Sequence, residues 1–183
     1  QALVKKSFLN PYETWISNLN GTLSVLEGLK KLNKKGKKIC TAVLITSDKV
    51  YKNLELDKGY KENDLIGDYD PYSASKASAE LLIQSYVKSF FDKGNSKVRI
   101  ATARAGNVIG GGDWSENRLI PDFVKSWSKN KRLFIRNPNS TRPWQHVLEV
   151  LCGYIVLAEK LRKNSNLHGE SFNFGPTSKH RYT

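Results

Sequence analysis

The sequence has no methionine, two cysteines and three histidines in 183 residues. No apolar run approaches the ~20 residues that a membrane-spanning helix requires; the longest, 39–45 and 150–158, are of a size that fills a core. No basic-then-apolar leader opens the chain, which says little where no methionine starts it. The true N-terminus is therefore expected upstream of Gln1. Cys40 and Cys152 each sit in an apolar stretch and are expected to be buried free thiols, which implies a reducing, cytoplasmic setting. His146, His168 and His180 have no metal-ligand spacing, so no metal site is expected. Also missing is Gly-x-Gly-x-x-Gly, the turn that cradles a dinucleotide's phosphates.

What is present is ordinary globular material. Hydrophobic residues at 39% and charged residues at 26% exclude a disordered polar tract, and the length suits one domain with a sizeable core. A net charge of +13 invites a nucleic-acid reading, but the lysines are spread over several segments. The one dense run, 30–38, follows a helical pattern, where cations suit the helix C-terminus and a solvated end is the plain reading. An anionic small substrate fits the charge equally well.

Apolar periodicity predicts helices over 10–32, 72–93, 121–129 and 148–161. Strands are expected at 39–46, 98–105 and 170–174, with an extended piece at 132–135 and a loop over 51–69. The run Ile39-Cys40-Thr41-Ala42-Val43-Leu44-Ile45-Thr46 suits a strand buried on both faces. Strands alternating with helices argue for an α/β fold, a parallel sheet with helices on both faces. Ligands gather at the carboxyl ends of such strands, where polar clusters do fall, after Ile45 and after Thr102.

Tyr72 and Lys76 stand four apart at the start of a helix and so share a face. An ammonium beside a phenol favours the phenolate, which can take a proton from an alcohol while a hydride leaves. Eight tyrosines and 22 lysines would give about one such spacing by chance, so the pair alone could be a surface pair. Context strengthens it. Ser47, Asp48 and Lys49 place a hydroxyl, a carboxylate and an amine in succession at the end of the predicted strand. The plainer alternative is a turn in which Ser47 and Asp48 cap the chain and Lys49 points to solvent.

Five motifs then follow in order: Asn18-Leu19-Asn20-Gly21-Thr22; Thr46-Ser47-Asp48-Lys49-Val50-Tyr51; Tyr72-Ser73-Ala74-Ser75-Lys76; Arg104-Ala105-Gly106-Asn107-Val108-Ile109-Gly110; and Arg142-Pro143-Trp144-Gln145-His146-Val147. Together they resemble the extended short-chain dehydrogenase/reductase family over nearly the whole chain. With Gly110-Gly111-Gly112-Asp113-Trp114, they most resemble its branch of 4,6-dehydratases that act on CDP-glucose. The resemblance implies a Rossmann-like core and NAD as cofactor, with Tyr72, Lys76 and Asn18 near it. It implies one incomplete domain over 1–183, in which 1–108 is the latter part of the core and 109–183 mixes core and substrate-binding elements. The phosphate loop would lie N-terminal to Gln1 and the final helices beyond Thr183, so this piece is expected to bind NAD poorly. The whole protein would be a homo-oligomer serving deoxysugar and lipopolysaccharide O-antigen synthesis, with no nucleic-acid or membrane partner.

The implied catalytic residues are Ser47, Asp48, Lys49, Tyr72 and Lys76. Tyr72, aided by Ser47 and Lys76, would take the 4-hydroxyl proton as hydride passes to NAD. Asp48 would be the acid at the departing 6-hydroxyl. Lys49 stands where more widespread dehydratases have Glu, and would act as a base only if burial and neighbouring cations made it one. Ser47, Asn107 and Arg142 would bind the substrate, Arg142 through paired donors to its diphosphate; the alternatives are a surface ion pair for Arg142 and a turn cap for Asn107. His146 is expected to be a supporting or core residue, and glycines 110–112 to make a tight turn near the sugar. Other readings are a nucleotide-sugar 4-epimerase or reductase with the same Tyr–Lys pair, a non-catalytic nucleotide sensor and a basic binding module.

Overall fold

The computed structural model describes residues 1–54, 56, 58–91, 94–135 and 137–176. His180 and the predicted helix end at Lys93 lie outside the described residues. In chain order, α1 is Val4–Leu9 and α2 Pro11–Trp15; a π-helical segment, Ile16–Asn20, runs into α3, Gly21–Lys35. Strand β1, Cys40–Ile45, leads into a 3-10 turn, Asp48–Val50, and then α4, Pro71–Phe90. Strands β2, Val98–Ala105, and β3, Val108–Ile109, precede α5, Leu119–Ser128. Strand β4, Gln145–His146, adjoins α6, Val147–Lys163, and β5, Ser171–Phe174, follows.

Local chemistry sets the helix starts. Pro11 and Pro71 occupy first-turn positions, where a missing N–H costs nothing. The Asn10 side chain accepts from Glu13 N at 3.1 Å, and Asp70 Oδ1 accepts from both Tyr72 N and Ser73 N at 3.0 Å.

Strands β1, β2 and β5 form a parallel sheet in the order β1-β2-β5, with Ala42 opposite Ile100 and Arg104 opposite Asn173. Strand alternation divides the sheet's side chains between two cores. Cys40, Ala42, Leu44, Val98 and Ile100 face Leu26 of α3 and Ile83 and Val87 of α4. Val43, Ala101, Ala103 and Phe172 face Leu157 and Leu161 of α6. The expected three-layer α/β arrangement, with helices on both faces of a parallel sheet, is what the chain adopts.

Four expectations change. Among the described residues β1 is half-buried rather than sealed on both faces, with Ile45 53% exposed, since it lies at the end of the order β1-β2-β5 whereas β2 is central. The extended piece at 132–135 pairs with no strand among the described residues, and Phe134 is exposed. Cys152 is an exposed thiol and Cys40 a partly buried one. Helix α6 turns Val150 and Leu157 inward, and Cys152, two positions from Val150, falls on another face. The core histidine is His168, not His146: its Nδ1 accepts from Ile100 N at 2.9 Å, so Nε2 carries the proton towards Phe91 O at 3.0 Å.

Among the described residues, one ion pair lies wholly inside. Arg104 donates from Nε to Glu80 Oε1 at 2.9 Å and from its second terminal nitrogen to Oε2 at 2.8 Å, with both side chains at most 1% exposed. Its other terminal nitrogen donates to the Tyr51 hydroxyl at 2.7 Å and to Glu62 O at 2.8 Å. Burial would lower the Arg104 guanidinium, and the paired carboxylate reverses this and holds it above its ordinary value. Removing one partner of such a pair strands a buried charge, whereas removing both does not. Urea unfolding of Arg104→Met is therefore expected to show a loss of about 3–5 kcal/mol, with a smaller loss in Glu80→Leu/Arg104→Met.

Candidate active site

At the carboxyl end of β1 the chain turns sharply. The Ser47 hydroxyl donates to Asp48 Oδ1 at 3.1 Å and accepts from Lys49 N at 3.2 Å, which closes the 3-10 turn. Val50, fully buried, packs with Tyr51 and Ala77 of α4, so the turn is anchored to the helix that carries Tyr72. The Tyr72 backbone is held twice, by the Asp70 cap and by Ser7 Oγ of α1 at 3.2 Å.

The segments after β2 and before α6 meet here as well. β3 pairs in parallel with β4, and Gln145 N donates to Asn107 O at 3.0 Å. Gly106 permits this approach, since a Cβ there would lie 2.8 Å from Pro143 Cγ. Glycines 110–112 do form a turn, with Gly112 at φ +84°, a conformation that L side chains rarely adopt.

These pieces enclose a cavity of about 1360 Å³ whose wall includes Ser47, Asp48, Lys49, Tyr72, Asn107 and Arg142. Lys76 and Asn18 are not part of its lining. Lys76 is half-buried and makes no hydrogen bond among the described residues. Asn18 is buried; its amide donates to Ser75 Oγ at 2.9 Å and its oxygen accepts from the Gln1 amino group at 2.9 Å. Lys49 is exposed on the wall. His146 is exposed too, and its Nδ1 accepts from Leu148 N at 3.3 Å; it caps α6 rather than supporting the core. Among the described residues, no group of three or more His, Cys, Asp or Glu could hold a metal.

The electrostatics follow from burial. Burial pushes the Asp48 carboxyl above the ordinary carboxylate range, against the opposing pull of Lys49, Ser47 and Arg142. Burial also pushes the Tyr72 phenol above its ordinary value; the Ser47 hydroxyl opposes this, Asp48 adds to it and Arg118 opposes it. The net shift is opposite to the lowering expected from a neighbouring ammonium. Lys76 is itself lowered by burial, with Glu80 pulling the other way.

Four contributors were given no role from sequence. Asp70, as cap, had a visible signal in Asp-Pro at a helix start. Arg118, which lines the cavity and pairs with Asp113 at 2.9 Å, had none beyond its position before α5. Glu80 and Arg104 lie 24 residues apart, and no local pattern joins them.

Residues 1–175 match the family described as NAD dependent epimerase/dehydratase family. The chain is 49% identical over 179 residues to a CDP-glucose 4,6-dehydratase of Salmonella typhimurium, covering 96% of this chain and 49% of that protein. A dTDP-D-glucose 4,6-dehydratase of Dictyostelium discoideum is 29% identical, covering 86% of this chain and 36% of the other. Among solved structures, a dTDP-glucose 4,6-dehydratase of Bacillus anthracis in complex with NAD is similar at TM-score 0.74 and 27% identity, over 92% of this chain and 49% of that one. The chain thus spans about half the length of the Salmonella relative. Sequence and fold agree: the chain belongs to the NAD dependent epimerase/dehydratase family.

Proposed function

We propose that this chain carries the catalytic centre of a nucleotide-sugar 4,6-dehydratase whose substrate is CDP-glucose. The observation that carries the reading is Asp48, a carboxyl that burial holds towards its neutral form on the same cavity wall as Ser47 and Tyr72. An epimerase or reductase needs a hydroxyl proton acceptor, but it has no use for a carboxylic acid poised to expel water. The likeness to the Salmonella CDP-glucose enzyme supports the choice of nucleotide.

The residues present fit the nicotinamide-ribose end of NAD: Lys76 is a half-buried amine without a hydrogen bond among the described residues, one helical turn from Tyr72. When bound, NAD supplies a reversible hydride acceptor. With no glycine fingerprint in the 183 residues, the chain alone is expected to bind NAD weakly. Tyr72 removes the proton of the sugar 4-hydroxyl, oriented by Ser47, as C4 is oxidised. The resulting ketone acidifies the C5 proton, which Lys49 takes once a hexose in the cavity covers it. Asp48 donates its proton to the departing 6-hydroxyl, which leaves as water. Arg142 and Asn107 hold the diphosphate and the sugar. Return of the hydride to C6 and of a proton to C5 would then give a 4-keto-6-deoxy sugar, with no net oxidation. Exposed apolar residues on α3 (Val25, Leu32) and α4 (Leu81, Phe90) support self-association of the whole protein.

In the whole protein, Tyr72→Phe is expected to lose most dehydration, roughly 10²–10⁴-fold, while still binding CDP. Alkaline absorbance of the 4-keto product and CDP titration check the two halves, and near-normal turnover would defeat the role. Asp48→Asn is expected to retain C4 oxidation and slow water loss; parallel loss of both would argue against an acid. The same substitution tests the shifted carboxyl by stability. A carboxyl raised in the folded state costs stability once pH exceeds its unfolded value of about 3.9 and the ionised form is demanded. Asp48→Asn should therefore unfold at a higher temperature than wild type at neutral pH, with the gain vanishing in acid.

A further inference from the structure

The Glu80 carboxylate sits on α4 eight residues beyond Tyr72, about 12 Å along the axis. It cannot move, because Arg104 grips both its oxygens and Thr102 and Ser171 hydroxyls reach Oε2 at 3.4 Å. Thr46, the residue before Ser47, is tied to this fixed point: its hydroxyl donates to Glu80 Oε1. Its backbone N–H donates to Ala103 O of β2 at 2.9 Å. The chain leaving β1 is thus fastened on one side to the central strand and on the other to the helix that bears Tyr72. Without the hydroxyl, Thr46 itself would be held by the sheet alone, and the turn would meet α4 only further on, where Val50 packs on Ala77.

We propose that Thr46, through its hydrogen bond to the immobilised Glu80, is a positioning residue that sets Ser47 opposite Tyr72. The inference rests on the reading above that Tyr72 and Ser47 perform the proton transfer. The groups acting on Tyr72 are Ser47, Asp48, Arg118 and Asp70, and of these only Ser47 and Asp48 follow directly from Thr46 in the chain. Release of Thr46 therefore alters Tyr72 through that pair, while Arg118 and Asp70 stay on their own elements. Because the Ser47 hydroxyl opposes the upward shift of Tyr72, its withdrawal raises the phenol further.

The test compares Thr46→Val, which deletes the hydroxyl and keeps the branched shape, with Thr46→Ser, which keeps the hydroxyl, in the whole protein. Tyr72 is titrated by NMR of tyrosine labelled at its ζ carbon, the signal being assigned by its loss in Tyr72→Phe. In Thr46→Val we expect Tyr72 to titrate at higher pH and kcat for CDP-glucose to fall roughly tenfold with KM within about twofold, as for a contact that matters only in the transition state. Thr46→Ser should restore both. A folded Thr46→Val with wild-type Tyr72 titration overturns the inference, as does a fall in kcat that Thr46→Ser fails to rescue. If Thr46→Val does not fold, Thr46→Ala replaces it; failure of both to fold assigns Thr46 to stability and overturns the positioning role. Absence of CDP-glucose turnover in the wild type would sink the proposed function, while the titration still decides whether Thr46 governs Tyr72.

Discussion

A buried carboxylate bound to a buried guanidinium is the constraint on which this molecule turns. Glu80 and Arg104 are both removed from water, which is costly unless each is fully paired. The pairing is completed by groups from four places: Thr46 at the end of β1, Thr102 within β2, Ser171 of β5 and Tyr51 in the loop before α4. The demand for satisfaction thus fixes where α4 lies along the sheet and how the ends of all three strands sit beneath it. Tyr51 extends the network outward, since its hydroxyl donates to Asn173 at 2.7 Å and its ring stacks on Tyr60 at 5.0 Å. Tyr51 and Tyr60 also line the cavity, so the buried pair supports the wall of the site.

The same burial serves the two proposed proton carriers unequally. For Asp48 it keeps the carboxyl towards its neutral form, as an acid requires. For Tyr72 it resists the phenolate that a base requires. Charge and dipoles oppose the second effect without outweighing it: Ser47 and Arg118 pull the phenol down, and Glu80 works against the lowering of the neighbouring Lys76 by burial. Glu80 therefore acts on the centre both through geometry and through charge.

Much of this was legible in the residues themselves. Strand β2 was readable to its ends because valine, isoleucine, threonine and alanine fill it around Arg99 and Arg104, and α4 because Asp70-Pro71 marks its start. Ser47, Asp48, Lys49, Tyr72, Asn107 and Arg142, all singled out from the sequence, line one cavity. What escaped had no local signature. Six-residue α1 and two-residue β3 and β4 are too short for periodicity to register. The π-helical turn at Ile16–Asn20 breaks what reads as one helix over 10–32, and it holds Asn18, whose amide meets Ser75. Cys152 and His146 were misplaced because helix phase and end effects, not the apolar company of a residue, decide which side chains face inward. The charge balance around Tyr72 could not be read at all, since it depends on how far burial outweighs its neighbours.

The placement of Arg142 gives the cavity a direction of response. Its guanidinium pulls the Asp48 carboxyl downward, and both residues line the cavity. A diphosphate held by Arg142, as proposed, neutralises that charge and so removes one of the forces that favour ionised Asp48. The sugar that brings the diphosphate also excludes water from the carboxyl, which strengthens the burial that already dominates. Both changes act in the same sense, towards the protonated acid. On the proposed reading, Asp48 is thus best supplied with its proton when a nucleotide sugar fills the cavity, and least so when water does.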